Sequence, residues 1–250
     1  MSIWDTYQER IDAHGGTKRG ATLQQEIRRI KERLPENLSY HTVTVDDAEQ
    51  EVAVINSDNL NEKSIISMPG EDLVNGGLVH WMDNYWLITE RDANMTVYTK
   101  CKMIQCNHLL KWVSEDGVIH EQWCIVEDGT KYLTGEFENR DFIATRGDSR
   151  IAVTIARNSQ TINLNRKNRF LIDDPETKHK LAYTLSKPLK LGGVFNNQGV
   201  YKFVLQEVSA TDDDNHELGI ADYYKYFPRV EYNPDTSDGD TDSGQKKRWL

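Results

Sequence analysis

The sequence lacks the features that most readily identify enzymes. It contains no Gly-x-Ser-x-Gly, no His-Glu-x-x-His, no phosphate-binding loop and no dinucleotide fingerprint. Carboxylates are numerous, but no spacing places two of them together in a cleft. We therefore predict a protein that is not an enzyme, has no catalytic residues and needs no cofactor.

Cysteine is also scarce, with three residues in 250 and no Cys-x-x-Cys pair. A zinc site still has to be considered, because five soft-ligand residues fall close together: Cys101, Cys106, His108, His120 and Cys124. In a regular strand, residues five apart such as Cys101 and Cys106 point to opposite faces. We predict no metal site, and three reduced cysteines that are mostly buried.

Long apolar runs and an excess of positive charge are missing as well. No run approaches the length that spans a bilayer, and residues 1–5 do not read as a signal peptide, so we expect no membrane association. The net charge is −10, and residues 209–245 hold ten acidic residues against two basic ones. Gripping DNA phosphates requires clustered Lys and Arg. The chain is therefore a poor candidate for binding the DNA phosphate backbone. It could still line a passage through which DNA slides without sequence-specific binding.

Two amphipathic helices are predicted at the start of the chain, over residues 3–12 and 22–34. The first ends at Gly15 and Gly16, and the second carries a capping-box spacing at its start. Its basic faces include three interface candidates: Arg28, Arg29 and Arg33. They form either a solvated face of a packed helix or a docking surface for an acidic neighbouring subunit.

From residue 40 the pattern changes to short strands of alternating polarity, centred on residues 76–112. Five or six such strands predict a small β-barrel, in which Trp86 and Trp112 are buried in the core or at a subunit boundary. Residues 130–208 predict a second all-β unit, either an immunoglobulin-like sandwich or a second barrel. Its strands are predicted near residues 131–137, 150–157, 160–164, 168–173, 180–186 and 200–208. Arg146-Gly147-Asp148 is interpreted as a turn.

Beyond residue 208 the composition becomes acidic, interrupted by an aromatic run that contains two further interface candidates, Tyr223 and Tyr224. Residues 233–245 have the composition of a disordered linker. The final Trp249 and Leu250, preceded by three basic residues, are either a tethered docking peptide or a frayed terminus.

The predicted fold is therefore mainly β, in four parts. They are an N-terminal helical segment (1–37), a small β-barrel (38–129), a β-sandwich-like domain or second barrel (130–210), and an extended acidic tail with a basic-aromatic tip (211–250).

Three stretches resemble head-closure and neck proteins of tailed bacteriophages: Gly70-Glu71-Asp72-Leu73-Val74, Trp86-Leu87-Ile88-Thr89, and Cys106 to Trp112 (CNHLLKW). That family shows a Gly-Asp-hydrophobic segment, a tryptophan strand and an Arg-Cys-Asn-x-x-Leu-Lys-Trp segment. Glu71 interrupts the Gly-Asp pair here, and Gln105 stands where arginine is common.

The resemblance implies a virion structural protein, made in the bacterial host cytoplasm and located in the neck at the head–tail junction. It would form a homo-oligomeric ring that closes the head and docks the tail. Its partners would be further copies of itself, a portal or adaptor protein and tail proteins, with DNA passing through the channel. Alternatives are a tail-tube or tail-terminator component, a non-viral β-sandwich binding module and, third, an enzyme without a known motif.

Overall fold

The N-terminal segment consists of two helices, as predicted, followed by a single 3-10 turn. The computed structural model describes residues 3–13, 15–94, 96–128 and 149–229. Helix α1 spans Ile3–Ala13, α2 spans Lys18–Arg33, and the 3-10 turn spans Leu34–Glu36. Pro35 lies in that turn, consistent with its inability to continue an α-helix.

Helix α2 begins four residues earlier than the sequence pattern predicts. Its N-cap is Thr17, whose Oγ1 accepts a hydrogen bond from the Gly20 N–H at 3.0 Å. The Thr22 hydroxyl instead donates to the Lys18 carbonyl, so the expected capping box is not formed. Gly20 is needed inside the helix, because a Cβ there would lie 2.1 Å from the Gly15 carbonyl oxygen.

The first β domain is a closed six-stranded antiparallel barrel with strand order β1-β2-β3-β6-β5-β4, in which β4 returns to pair with β1. Its strands are β1 (Tyr40–Val45), β2 (Ala48–Asn56), β3 (Glu62–Ser67), β4 (Leu78–Trp81), β5 (Asn84–Arg91) and β6 (Lys100–Gln105). Two hairpins turn through residue pairs with positive φ, Asp46-Asp47 and Met82-Asp83. Such turns match the right-handed twist of the flanking strands.

Alternation along these strands places one set of side chains inside the barrel. The core includes Val52, Ile65, Leu73, Ile88 and Met103, all fully buried. Trp86 joins this core with 4% of its surface exposed, which confirms the prediction that it is buried.

The second β domain is a sheet with strand order β10-β11-β13-β9-β8-β7, nearly closed into a barrel because β10 also contacts β7. Its strands are β7 (His108–Val113), β8 (Ile119–Asp128), β9 (Arg150–Ala156), β10 (Arg169–Leu171), β11 (Ala182–Leu189), β12 (Val194–Phe195) and β13 (Gln198–Val208). Of the two folds considered for this domain, the second barrel is therefore the observed one.

The predicted boundary at residue 129 is wrong. Strands β7 and β8 pair with each other, and β8 pairs with β9, so residues 108–128 belong to the second barrel. Trp112, 2% exposed, lies in the second core with Leu110, Phe170 and Phe203 rather than in the first. The first barrel ends at Gln105.

A strand predicted near 160–164 is instead a 3-10 turn, Thr161–Asn163. The Thr161 hydroxyl donates to the Ala156 carbonyl at 2.8 Å, and its N–H donates to Asn158 Oδ1. These local bonds close a turn where an extended chain was expected. The strand predicted at 131–137 and the turn at 146–148 lie outside the described residues.

Candidate assembly surface

The joint between α1 and α2 is a tight, hydrogen-bonded elbow. Gly15 and Gly16 have φ of +94° and +68°, conformations that glycine adopts without strain. The Gly16 N–H donates to the Ile11 carbonyl at 2.8 Å, and the Gly15 N–H donates to the Asp12 carbonyl. We call α1, the elbow and α2 together (residues 3–33) the helical arm.

The helical arm exposes apolar side chains that the described residues of one copy do not bury. On α1, Ile3, Trp4 and Tyr7 are 89%, 73% and 56% exposed, and the last two rings meet edge to face. On α2, no residue is fully buried, and Leu23 is exposed. Among the described residues, neither helix makes more than isolated contacts with a strand of either barrel.

Arg28, Arg29 and Arg33 lie on this arm as predicted, and all three are exposed. Arg29 pairs only with Glu26 of its own helix among the contacts of the described chain, at 3.3 Å. Helix α2 carries six basic and two acidic residues. The arm is therefore a basic element joined to an acidic barrel, since residues 38–106 hold eleven acidic and four basic residues.

The end of the first barrel from which the arm emerges presents three exposed apolar side chains on neighbouring turns. Leu38, Leu60 and Met82 are 97%, 85% and 64% exposed. Hydrogen bonds bring these turns together, because Ser39 accepts from Val54 while Gln105 contacts both Asn61 and Asn84. We call this the arm-side end of the barrel; the exposed carboxylates Asp58 and Asp83 lie on its turns.

The two barrels meet along an apolar seam. Tyr85 of the first barrel stacks on Trp123 of the second, with ring centroids 4.7 Å apart and planes at 16°. Leu87, Cys106 and Val200 are buried in the same cluster. Because apolar side chains of both barrels are buried in this seam, independent movement of the two domains is disfavoured.

Asn107 lies in the link between the barrels, and its side chain attaches this link to the second barrel. Its Nδ2 donates to the Val126 carbonyl, and its Oδ1 accepts from the Val126 N–H, both at 2.8 Å. Beside the seam lies a cleft of about 370 Å³ whose lining includes Asp46, Glu121 and Arg157. The Arg157 guanidinium donates to the Asn197 carbonyl across this cleft.

Trp86 and Trp112 were interface candidates, and this assignment is corrected. Both indoles are buried within the chain's own cores, 4% and 2% exposed, which leaves them almost no surface for a neighbouring subunit. Large aromatic side chains fill cores and interfaces alike, so the sequence pattern did not distinguish the two.

Residues 209–229 form a cap on the second barrel instead of the predicted start of an extended tail. The guanidinium of Arg169 donates to both carboxylate oxygens of Asp214 at 2.9 Å and to Asp222 at 2.8 Å. It also donates to the Ser209 carbonyl and the Thr211 hydroxyl. One strand residue thus holds four points of the acidic segment against the barrel.

Asp214 is the fully buried member of this network, with no exposed side-chain surface. Burial alone would raise its pKa. Hydrogen bonds from the N–H groups of Asp222 and Thr211, together with the Arg169 guanidinium, outweigh burial and lower the pKa of Asp214 below its ordinary value. The carboxylate is therefore held in its charged form.

Tyr223 and Tyr224, also interface candidates, are half-buried in this cap, where a short helix α3 spans Tyr223–Tyr226. Tyr223 stacks on Phe227 at 4.7 Å, and the Arg229 guanidinium lies 4.2 Å from the Tyr224 ring centre. Much of both rings is used in packing the cap itself. Trp249 and Leu250 lie outside the described residues.

The three cysteines are free and buried, as predicted. They lie in different clusters, with Cys101 in the first core, Cys106 in the seam and Cys124 in the second core. Burial raises the pKa of Cys101 and of Cys106 to about 12, and it also raises the pKa of Cys124. In the parts of the chain that the structure describes, no three His, Cys, Asp or Glu residues are grouped to hold a metal ion.

No helix within the described ranges is long and apolar enough to cross a bilayer. No family model matches the chain, and no curated protein matches it significantly. A solved structure described as MrkH, a c-di-GMP-dependent transcription regulatory factor, aligns with 77% of this chain and 86% of its own. The TM-score is 0.23 at 10% identity, which is too low to indicate a shared fold or function.

Proposed function

We propose that the protein is a structural component of a bacteriophage virion that forms a ring at the head-to-tail interface. The observation that carries this proposal is the helical arm. Within the described part of the chain, this basic, amphipathic element packs on neither barrel, which favours contact with another subunit. The acidic first barrel supplies a surface of opposite charge on each copy.

The residues that carry the resemblance to neck proteins give further support, because they frame the junction of the two barrels. Leu73 and Trp86 fill the first core, Cys106 lies in the seam, and Leu110 and Trp112 fill the second core. The stretches that carry the resemblance therefore extend from the first barrel into the second. A rigid two-barrel unit is well suited to stacking side by side in a ring.

In this role the chain acts through protein–protein contacts and not through catalysis. The ring would close the head beneath the portal, offer a platform for the tail, and let DNA pass through its centre. With eleven acidic and four basic residues in the first barrel, the protein would repel the phosphate backbone and thus avoid trapping the DNA.

The test is electron cryomicroscopy of the particle neck, together with co-purification of the recombinant chain with the portal protein. Density for both barrels in a ring between portal and tail is the expected result. Density within the tail tube or at its end would instead assign a tail component. A monomer that joins no virion protein and binds a saccharide or peptide would refute the virion role.

A further inference from the structure

We infer that the helical arm of one copy docks on the arm-side end of the first barrel of the adjacent copy. This inference rests on the proposed function, which supplies the ring. Each copy would bind the next one through its arm and the previous one through its barrel end. The occupant of the barrel end is thus a second copy of this chain.

The two surfaces match in polarity. Helix α2 offers Leu23, Ile27 and Ile30 on one face, spaced as neighbours on a helix, and none of them is fully buried. The barrel end offers Leu38, Leu60 and Met82, which are more than half exposed. Contact between the two would remove both apolar sets from water.

The two surfaces also match in charge. Arg33 of α2 borders the apolar stripe one turn from Ile30, and Arg28 and Arg29 lie further round the helix. On the barrel end, Asp58 and Asp83 lie on the turns that carry Leu60 and Met82. In the described chain, Arg29 pairs with Glu26 of the same helix and with no residue of the barrel. Opposite charges around an apolar centre set the register and orientation of an interface.

Geometry favours a neighbouring copy over the arm's own barrel. The arm leaves its barrel at this same end through residues 34–37, and α2 makes no more than isolated contacts with it. A 16-residue helix is about 24 Å long, which is enough to carry it across to an adjacent small domain. Copies standing side by side in a ring present their arm-side ends at the same height.

The experiment is cross-linking with a short bis-maleimide, using the full chain. The three native cysteines are buried, so the wild-type protein gives the background. One protein carries Ile27→Cys on the arm and another carries Leu60→Cys on the barrel end. The matched control replaces Leu60→Cys by Lys100→Cys, an exposed position at the opposite end of the barrel.

The expected result is a covalent dimer in the Ile27→Cys plus Leu60→Cys mixture and its loss in the control mixture. Reversing the arm charges with Arg28→Glu, Arg29→Glu and Arg33→Glu should abolish the dimer. Adding Asp58→Lys and Asp83→Lys to the partner should restore it. Equal dimer yields in test and control mixtures would overturn the inference.

A chain carrying both cysteines distinguishes a ring from a closed pair. If the arm of each copy binds the barrel end of the next, cross-linking gives a series of covalent oligomers larger than the dimer. Products that stop at the dimer would refute this arrangement. The proposed function and the docking are refuted by different results. A neck reconstruction without this protein would refute the virion role even if the cross-link forms, and a neck ring with arms seated elsewhere would refute only the docking.

Discussion

Removal of the Arg169 guanidinium should be among the most destabilising single changes in the second barrel. Arg169→Ala leaves Asp214 charged, buried and without its cation. Removing one partner of a buried ion pair typically costs about 3–5 kcal/mol. Arg169→Lys keeps the charge but loses the two-pronged contact with both carboxylate oxygens, so we expect an intermediate loss of about 1.5–3 kcal/mol.

The assay is urea unfolding followed by tryptophan fluorescence, with Arg91→Ala as the matched control. Arg91 pairs with Asp72 at 2.8 Å, but Asp72 is 57% exposed, and exposed pairs contribute about 0–1 kcal/mol. The double variant Arg169→Ala/Asp214→Ala should lose less stability than the sum of the two single variants, because it leaves no buried charge. Equal, small losses for Arg169→Ala and Arg91→Ala would refute the reasoning.

The same network predicts a dependence on pH with a definite sign. The folded state lowers the pKa of Asp214, so the unfolded chain takes up the proton first as the pH falls. The contribution of Asp214 to stability is therefore complete above the ordinary carboxyl pKa and is lost as the pH falls through the lowered, folded value. The difference in stability between wild type and Arg169→Ala should narrow over that acidic range.

Three further predictions concern the core, the DNA passage and the end of the chain. Trp86→Ala should lower the free energy of unfolding by about 3–5 kcal/mol, and an unchanged melting temperature would contradict its place in the core. The isolated protein should bind duplex DNA weakly at physiological salt; sub-micromolar binding with a steep salt dependence would contradict the passive passage. Deletion of residues 246–250 should impair assembly and tail joining. Particle yields equal to those of the wild type would contradict the docking peptide and favour the interpretation as a frayed terminus.

Much of the fold follows from local patterns in the sequence. Alternating polarity over four to ten residues identified most strands, and the i, i+3, i+7 spacing of Trp4, Tyr7 and Ile11 identified α1. The pattern failed at the domain boundary, since the link at Cys106 and Asn107 has neither glycine nor proline to mark a change of sheet. Strand partners are chosen by non-local packing, which periodicity does not report.

The cap over residues 209–229 was missed for a related reason. An acidic segment with few aliphatic residues has the composition of a disordered chain. Its contacts include those with Arg169, which lies 45 residues before Asp214 and was not distinguishable in the sequence from the other surface-type arginines. Long-range contacts thus order a segment whose composition indicates disorder.

The assembly surface was predictable from the sequence only in part. The arginines of the arm were identified from sequence, because a basic helix face is a local feature, but its complement on the barrel end appears only when three turns are brought together. Since the arm barely contacts its own barrel, its charges should contribute little to folding. Charge reversal at Arg28, Arg29 and Arg33 should therefore change the free energy of unfolding by no more than about 0.5 kcal/mol per site, the usual range for surface sites, while abolishing contact between copies. If the same reversal unfolded the chain, the arm would belong to the folding core of its own subunit. It could then not dock on a neighbouring copy, and the inference would be refuted.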